Sequence, residues 1–284
     1  MIVGHGRIVA DLKRLADGRR LAHGYLFFGP PRVGKRTVAL GLAEYLEGFG
    51  FDAVPLRGAP LSDATVVQPD AERTIGIDRI RELRNFVSQF PNRSPYRMVI
   101  IDDAELMTRE AQNALLKVAE EPPAAALIVL VVQDPERLLP TLRSRFQKLY
   151  FAPPATAVVV EWLVKEHRMP KARAMEVAVH SFGAPGLAWA FLNDEKFGER
   201  YETARQFLAM PSAGRQAFIK DFTDKGEHED FDLGQFLDAA LIALAASRRR
   251  DEPALWHRLL ELRRQADYVN VNPRLQLTAL AHEL

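Results

Sequence analysis

The stretch "GPPRVGKRT", residues 29–37, follows the short apolar run "GYLFF" and precedes a helical pattern that ends near Gly48. Strand, glycine loop and helix in this order form the context of a phosphate-binding loop, whose pattern is G-x-x-x-x-G-K-S/T. In such a loop, backbone N–H groups and the lysine hold phosphates. Gly29, Gly34 and Lys35 match the pattern. The sequence therefore predicts a nucleotide-binding architecture built on a parallel sheet.

One position of this loop departs from the pattern. The Ser/Thr hydroxyl that ligates Mg²⁺ is replaced by Arg36. A guanidinium only donates hydrogen bonds and stays charged, so it cannot ligate a metal ion. Thr37 carries a hydroxyl, but one helical residue rotates a side chain by about 100°, away from that position. Two hypotheses stay open: the loop binds nucleotide but hydrolyses it poorly, or it binds none.

Two further apolar runs predict buried parallel strands. "YRMVIIDD", residues 96–103, ends in Asp102 and Asp103, and "ALIVLVVQD", residues 126–134, ends close to Gln133. Ligands of such sheets bind at the carboxyl ends of the strands, so these residues and the glycine loop are predicted to share one edge. Asp102 stands where a magnesium-holding aspartate is typical, and Asp103 where a motor has its catalytic glutamate. The alternative is that two aspartates merely begin a turn.

Composition bounds the class of protein. The chain has 284 residues, enough for about two domains, and is 48% hydrophobic and 26% charged. Lys and Arg total 38 against 37 Asp and Glu, so contact with nucleic acid must come from a local patch. The absence of cysteine excludes disulfides and thiolate zinc sites. Because neither a signal-like N-terminus nor about 18 consecutive apolar residues occur, we expect a cytoplasmic protein without a membrane partner.

Strand patterns end at "FAPPAT", residues 151–156, and helical patterns follow. The sequence thus predicts an α/β domain over residues 1–152, followed by helical domains over residues 153–196 and 197–284. The second boundary rests on the weaker break "LNDEKFG".

The stretch "MTREAQNALLKVAEEPP", residues 107–123, has helically spaced apolar residues and ends in two prolines, so periodicity alone predicts an amphipathic core helix. It also resembles the "QNALLK…EEPP" segment of the bacterial clamp-loader ATPases, the AAA+ subunits that open the sliding clamp of DNA polymerase III. Three more passages carry the same resemblance: "IGIDRIRELRNF" (75–86), "LLPTLRSRFQ" (138–147) and "NVNPRLQLTAL" (270–280).

Within that family the chain resembles delta prime subunits more than the ATP-hydrolysing gamma/tau subunits, because of Arg36 and a short helical C-terminal domain without a long tail. The resemblance implies a RecA-like AAA+ domain, a helical lid domain (153–196) and an all-α collar domain (197–284). It also implies a scaffold for DNA replication that assembles with gamma/tau and delta subunits. Such a scaffold acts on the sliding clamp indirectly and contacts the backbone of primed-template DNA within the assembly. Although part of a DNA-directed DNA polymerase holoenzyme, it would hydrolyse little or no ATP itself.

The resemblance assigns roles to single residues. The candidates for binding ATP at this degenerate site are Gly29, Gly34, Lys35, Thr37, Asp102, Asp103 and Gln133. Gln133 corresponds to a phosphate-sensing position. In "LRSRF", residues 142–146, Arg145 corresponds to an arginine finger that projects into the ATP site of a neighbouring subunit, and Phe146 replaces the family's cysteine. The alternative is that the arginines here form a solvated basic surface.

Two departures from the family pattern affect the expected chemistry. Residues 181–190, where an active motor presents a second sensing arginine, contain no arginine. The loop at residues 49–70 replaces a four-cysteine zinc module of many relatives and has no ligands for it, so we expect no zinc and no other metal site.

A basic helix is the candidate contact with DNA. Arg79, Arg81 and Arg84 lie away from the apolar stripe of the helix predicted over residues 77–87. They are suited to sequence-independent contact with phosphates. An ordinary solvated helix face explains them equally well.

Two other functions remain as alternatives. One is an active AAA+ ATPase of the gamma/tau type, in which Thr37 or water replaces the missing ligand and Asp103 acts for the glutamate. The other is a free-standing DNA-binding switch of the initiator type, which would need a recognition helix near the C-terminus. Residues 248–270 instead predict a collar helix, with Leu and Ala at buried spacing.

Overall fold

The fold comes from a computed structural model, which describes residues 2–51, 61–224, 232–247, 252–266 and 272–283. Contacts divide the chain into two compact units. The first consists of Met1–Pro170 and Gly183–Gly186, and the second of Lys171–Phe182 and Leu187–Leu284. The three-domain division at residues 152 and 196 stays a prediction. Parts of three predicted segments lie outside the described residues: 52–60 of the cysteine-free loop, 248–251 and 267–270 of the collar helix, and 270–271 of the last family passage.

The first unit alternates strands and helices. Its elements are α1 (Gly6–Asp17), β1 (Gly24–Phe28), α2 (Lys35–Leu46), β2 (Ala64–Val67), α3 (Ile77–Val87), β3 (Arg97–Ile101), α4 (Arg109–Glu120), β4 (Ala126–Val132), α5 (Pro140–Arg143), β5 (Gln147–Tyr150) and α6 (Thr156–His167). Two 3-10 turns follow strands, at Ala104–Leu106 and Pro135–Arg137. All strand pairs are parallel, in the order β2-β3-β4-β1-β5. The prediction of a parallel α/β sheet is therefore confirmed.

The core of this unit follows from the apolar runs. Every residue of β3 and β4 is buried, as expected of strands covered on both faces. Helix α4 starts where the Thr108 side chain accepts a hydrogen bond from the Ala111 N–H, and it buries Ala111, Leu115 and Val118 against the sheet. The amphipathic helix predicted from periodicity is thus present, and its buried face holds it against the sheet just before β4.

The second unit is helical. Its helices are α7 (Lys171–His180), α8 (Pro185–Asn193, whose first two residues belong to the first unit), α9 (Glu195–Ala209), α10 (Ser212–Asp224), α11 (Leu233–Ala246), α12 (Pro253–Ala266) and α13 (Pro273–Glu283). Its apolar core includes Phe207, Phe236, Leu244, Leu259, Leu277 and Leu280. Within α12, Leu255, Leu259 and Leu262 are buried at the predicted spacing. In the described part of the chain, no helix combines the length and the apolar character needed to cross a membrane.

Candidate functional site

The sheet order brings the predicted site residues to one edge. β1 and β3 both pair with β4, so the carboxyl ends of these three strands are neighbours. The glycine loop follows β1, Asp102 and Asp103 follow β3, and Gln133 follows β4. A crevice at the carboxyl ends of parallel strands is where such sheets bind ligands.

The backbone of the glycine loop depends on its two motif glycines. Gly29 and Gly34 have φ values of 137° and 109°, in the region that favours glycine. A Cβ on Gly29 would lie 2.4 Å from the carbonyl oxygen of Phe151, which follows β5. Gly34 forms the N-cap of α2, so the free N–H groups of that helix start at the loop. The loop therefore has the backbone form that can receive an anion.

Lys35 is held inside this loop. Its side chain is buried, and Nζ donates hydrogen bonds to the carbonyl oxygens of Gly29 (2.7 Å) and Pro30 (2.6 Å). Burial lowers the pKa of Lys35 to about 8, although Glu105 and the two aspartates after β3 act to raise it. The ammonium group stays mostly protonated at neutral pH and is bonded to the loop itself.

Arg36 contacts the acid that would hold magnesium. Its Nε lies 3.4 Å from Oδ2 of Asp102, and the two side chains are 45% and 13% exposed. Burial raises the pKa of Asp102 and the neighbouring Asp103 raises it further, whereas Arg36 opposes the shift. Mg²⁺ requires oxygen ligands at about 2.0–2.1 Å. The residues present do not fit this ion, because Arg36 brings a positive charge to the position of an oxygen ligand. The half-buried Thr37 follows Arg36 on α2.

Glu105 joins the ends of two strands. It lies in the 3-10 turn after β3, is buried, and its Oε1 accepts a hydrogen bond of 2.8 Å from the backbone N–H of Gln133. Burial raises the pKa of Glu105. The Gln133 side chain is exposed, and Asp103 adopts a left-handed backbone with φ 47°. The sequence places Glu105 two residues after Asp103, too far along the chain to be aimed like a catalytic glutamate, and it did not predict the bond to Gln133.

Two contacts to the loop backbone come from distant parts of the chain. His5 Nε2 lies 2.8 Å from the carbonyl oxygen of Val33, and the His5 ring packs on Phe151 with centroids 4.9 Å apart. Burial lowers the pKa of His5. At the start of α8, the Gly186 N–H donates a hydrogen bond of 2.9 Å to the carbonyl oxygen of Arg32. No sequence motif marks His5, because its partner lies 28 positions away.

Arg145 lies at the opposite end of the strands, where β5 begins and away from the glycine loop. It precedes β5, and the next residue, Phe146, is buried so close to Gly24 at the start of β1 that a Cβ there would be 2.6 Å from its ring. A strand rises by about 3.3 Å per residue, so the four residues of β5 separate Arg145 from the glycine-loop edge by about 13 Å. The Arg145 side chain is 51% exposed, and its Nη2 lies 3.2 Å from Oε1 of Glu120.

The three arginines of α3 differ in their surroundings. Arg79 and Arg81 are exposed and each pairs with an acid of the same helix, at 3.2 Å to Glu82 and 2.8 Å to Asp78. Arg84 is exposed as well. The acids reduce the net positive charge of this face, so the role of α3 in binding DNA stays a prediction.

A parallel sheet in this order, with a phosphate-loop lysine after β1 and an acid after β3, defines an AAA+ domain. Two solved structures share the fold. A DNA polymerase III gamma subunit-related protein of Thermotoga maritima is 21% identical, with 96% of this chain and 97% of that chain covered and a TM-score of 0.55. The RuvB Holliday junction branch migration motor of the same species is 16% identical, with 96% and 91% covered and a TM-score of 0.50.

Sequence comparison gives the family. The model of the family described as "DNA polymerase III, delta subunit" matches residues 4–155, more than half of the chain, and the chain belongs to this family. The DNA polymerase III subunit delta' of Escherichia coli is 37% identical over 66% of this chain, and subunit gamma/tau of Mycobacterium tuberculosis is 36% identical over 55%. The matches span 59% and 29% of those relatives' own lengths. The resemblance found in the sequence is thereby confirmed.

Proposed function

We propose that the chain is a delta-prime-like subunit of a DNA polymerase III clamp loader. In this role it is a largely non-hydrolysing scaffold that assembles with gamma/tau ATPase subunits and a delta subunit. It donates Arg145 to the ATP site of a neighbour and helps to load the sliding clamp on primed DNA. The observation that carries the proposal is the position of Arg145, exposed at the sheet edge opposite its own glycine loop.

This position favours action in trans. The backbone of Arg145 lies about 13 Å from the end of the sheet that holds its own loop, and an arginine side chain spans roughly half that distance, so its guanidinium cannot reach a phosphate there. Phe146 fixes the backbone by packing on β1, while Arg145 keeps its side chain at the surface. A planar fork of donors stabilises charge on a transferring phosphoryl group, and arginine fingers contribute about 10³–10⁵ in rate in GTPases.

The contact between Arg145 and Glu120 does not oppose this role. Both side chains are about half exposed, and an exposed ion pair of this kind contributes about 0–1 kcal/mol. A phosphate group of higher charge at a subunit interface can replace Glu120 as the partner of Arg145, because breaking this ion pair costs little free energy. The pair therefore keeps the guanidinium in place without blocking it.

The chain's own loop is poorly equipped for turnover. Arg36 takes the position of the magnesium ligand, and Asp103 replaces the catalytic glutamate with a side chain one methylene shorter. Reaction geometry tolerates an error of about 1 Å poorly. Lys35, bonded to the loop carbonyls, stabilises the loop without any ligand. These features support a retained fold with little or no hydrolysis.

An active gamma/tau-like ATPase is the second candidate function. The observation that favours it is the intact loop backbone, with Gly29 and Gly34 in the required conformation and Asp102 at the strand end. It predicts magnesium-dependent ATP hydrolysis by the isolated chain. The delta-prime-like function predicts little or none.

Contact with DNA is proposed only within the assembly. The whole chain carries a net charge of +1, and two of the three α3 arginines are paired with acids. Sequence-independent binding to duplex backbone scales with the number of phosphates neutralised. A single subunit would therefore bind DNA weakly, and a ring of subunits could bind it by adding several such helices.

The test of this function is ATP hydrolysis by a loader reconstituted from this chain with gamma/tau and delta subunits, clamp and primed DNA. With Arg145→Ala, the rate at the neighbouring site should fall by about 10³ or more, and total hydrolysis by that site's share. Lys148→Ala is the matched control, because it removes an exposed positive charge from the adjoining strand. Normal hydrolysis by a fully assembled Arg145→Ala loader would overturn the proposal.

A further inference from the structure

We infer that the ion pair between Arg36 and Asp102 takes the place of the magnesium ion in this glycine loop, and that Arg36 alone makes the loop reject magnesium-bound nucleotide. The inference deepens the proposed function and rests on it in one respect, namely that this loop is not a site of turnover.

Geometry is the first support. The magnesium site of a phosphate loop is formed by the hydroxyl at the start of the helix and the aspartate at the carboxyl end of another strand of the same sheet. In this chain those two positions are Arg36 and Asp102, and their side chains contact each other directly at 3.4 Å. The guanidinium thus lies beside the carboxylate that would ligate the metal and supplies one of the two positive charges that the metal would bring.

Electrostatics is the second support. Asp102, Asp103 and Glu105 gather at the end of β3, and a cation is needed beside such a group. Lys35 and Arg137 are further positive charges near this group, and Lys35 is bonded to the loop carbonyls. A divalent ion placed next to Asp102 would meet repulsion from Arg36 and would gain no oxygen from it. Binding of magnesium-bound nucleotide is therefore disfavoured by charge repulsion and by the missing oxygen ligand.

The rest of the site is in place for a metal-dependent loop. Gly29 and Gly34 have the required backbone, and Glu105 is fixed by the Gln133 N–H at 2.8 Å. Arg36 is 45% exposed and lies in the first turn of α2, so a smaller residue there leaves no buried cavity. A single substitution that restores the hydroxyl should consequently restore magnesium dependence.

The experiment is calorimetric titration of the full chain with ATP, with and without Mg²⁺, for the wild type, Arg36→Thr and Arg36→Lys. We expect magnesium to give the wild type no gain in affinity for ATP, and to weaken whatever binding occurs without it. Arg36→Thr should bind ATP about tenfold or more tightly with magnesium than without it. Arg36→Lys keeps the charge and supplies no oxygen, so it should behave like the wild type. Adding Asp102→Asn to Arg36→Thr should abolish the gain. Circular dichroism melting confirms that each variant is folded.

Three results would overturn the inference: wild-type binding that magnesium tightens, a folded Arg36→Thr variant that behaves like the wild type, or an equal gain in Arg36→Lys. None of them bears on Arg145. The proposed function fails separately, if Arg145→Ala leaves the neighbour's hydrolysis unchanged or if the wild-type chain hydrolyses ATP by itself.

Discussion

The strand β3 has an Arg–Asp pair at each of its ends, and the two pairs differ in burial. At the start of the strand, Arg97 Nη1 lies 3.1 Å from Oδ1 of Asp63, with side chains 8% and 1% exposed. Beyond its end, Asp102 pairs with Arg36 at 3.4 Å, with side chains 13% and 45% exposed. The first pair belongs to the core, and the second borders the candidate site.

The hydrogen bonds around the two aspartates differ as well. The Asp63 carboxylate accepts bonds from the backbone N–H groups of Asn92, Arg93 and Ser94, at 2.7, 2.6 and 2.9 Å. Burial alone would raise the pKa of Asp63, but these bonds, together with Arg97, lower it below its ordinary value. The charged form of Asp63 is therefore the form that the fold stabilises.

The comparison teaches how one pair of residue types serves two purposes. Asp102 is buried beside Asp103, so its pKa is raised even though Arg36 is near. The charge of Asp63 is matched by donors from its own fold, whereas that of Asp102 is matched only in part. We infer that the amino end of β3 stabilises the unit and that the carboxyl end retains the features of a ligand site.

The largest expected effect on stability is at the buried pair. Arg97→Met removes the guanidinium and leaves the Asp63 charge in the core, which should lower the free energy of unfolding by about 3–5 kcal/mol. Urea denaturation measures it. Arg79→Met breaks an exposed pair on α3 and should cost at most about 1 kcal/mol. Equal effects from the two variants would mean that burial does not distinguish the pairs.

Asp63→Asn should cost about 3–5 kcal/mol at pH 7, because it leaves the Arg97 guanidinium buried without its carboxylate and turns bonds to a charged acceptor into bonds to a neutral one. A carboxyl whose pKa is lowered by folding contributes stability above its unfolded pKa and loses it as pH falls through the folded pKa. The deficit of the variant should therefore shrink below about pH 4, near the ordinary value of 3.8. A deficit that stays constant down to pH 3 would contradict this account.

Asp102→Asn should change the free energy of unfolding in the opposite direction and by a smaller amount. The folded pKa of Asp102 is raised, so its ionised form costs stability at neutral pH, and that cost disappears as pH falls through the folded pKa toward the unfolded one. The variant should be slightly more stable than the wild type at pH 7 and equal to it near pH 4. Thermal melting of both proteins over this pH range tests the predicted gain in stability. A variant that melts below the wild type at pH 7 would contradict the prediction.

The smallest effect is expected from Arg36→Ala. Arg36, the cation of the pair that it breaks, is nearly half exposed to solvent, so the free energy of unfolding should change by no more than about 1 kcal/mol. The measurement is urea denaturation at pH 7 beside the Arg97→Met variant. A loss as large as that of Arg97→Met would show that Arg36 has a structural role and is not specific to the site.

Much of this fold could be predicted from local patterns. The apolar runs located β1, β3 and β4, the stripe of residues 107–123 located α4, and the loop pattern placed Lys35 at a helix start. The edge shared by Asp102 and the glycine loop also followed, since parallel strands point their carboxyl ends the same way. These features depend on short-range periodicity or on a general rule of parallel sheets.

The side-chain contacts could not be predicted in this way. The pairing of Arg36 with Asp102 depends on which strands are neighbours, and that order is not written in any local pattern. Arg97 and Asp63 are of types that are mostly exposed, so nothing in the sequence marked them as buried. The distance of Arg145 from its own loop likewise required the register of β5 on β1.

The central claim is that the chain contributes a residue to a neighbour's site and does not use its own loop for hydrolysis. Its most direct test is ATP hydrolysis by the reconstituted loader with Arg145→Ala or Lys35→Met in this chain alone. The account predicts that Arg145→Ala removes the hydrolysis of one neighbouring site and that Lys35→Met leaves the rate of the assembled loader unchanged. The reverse order of effects would contradict it, because hydrolysis would then occur at the loop of this chain.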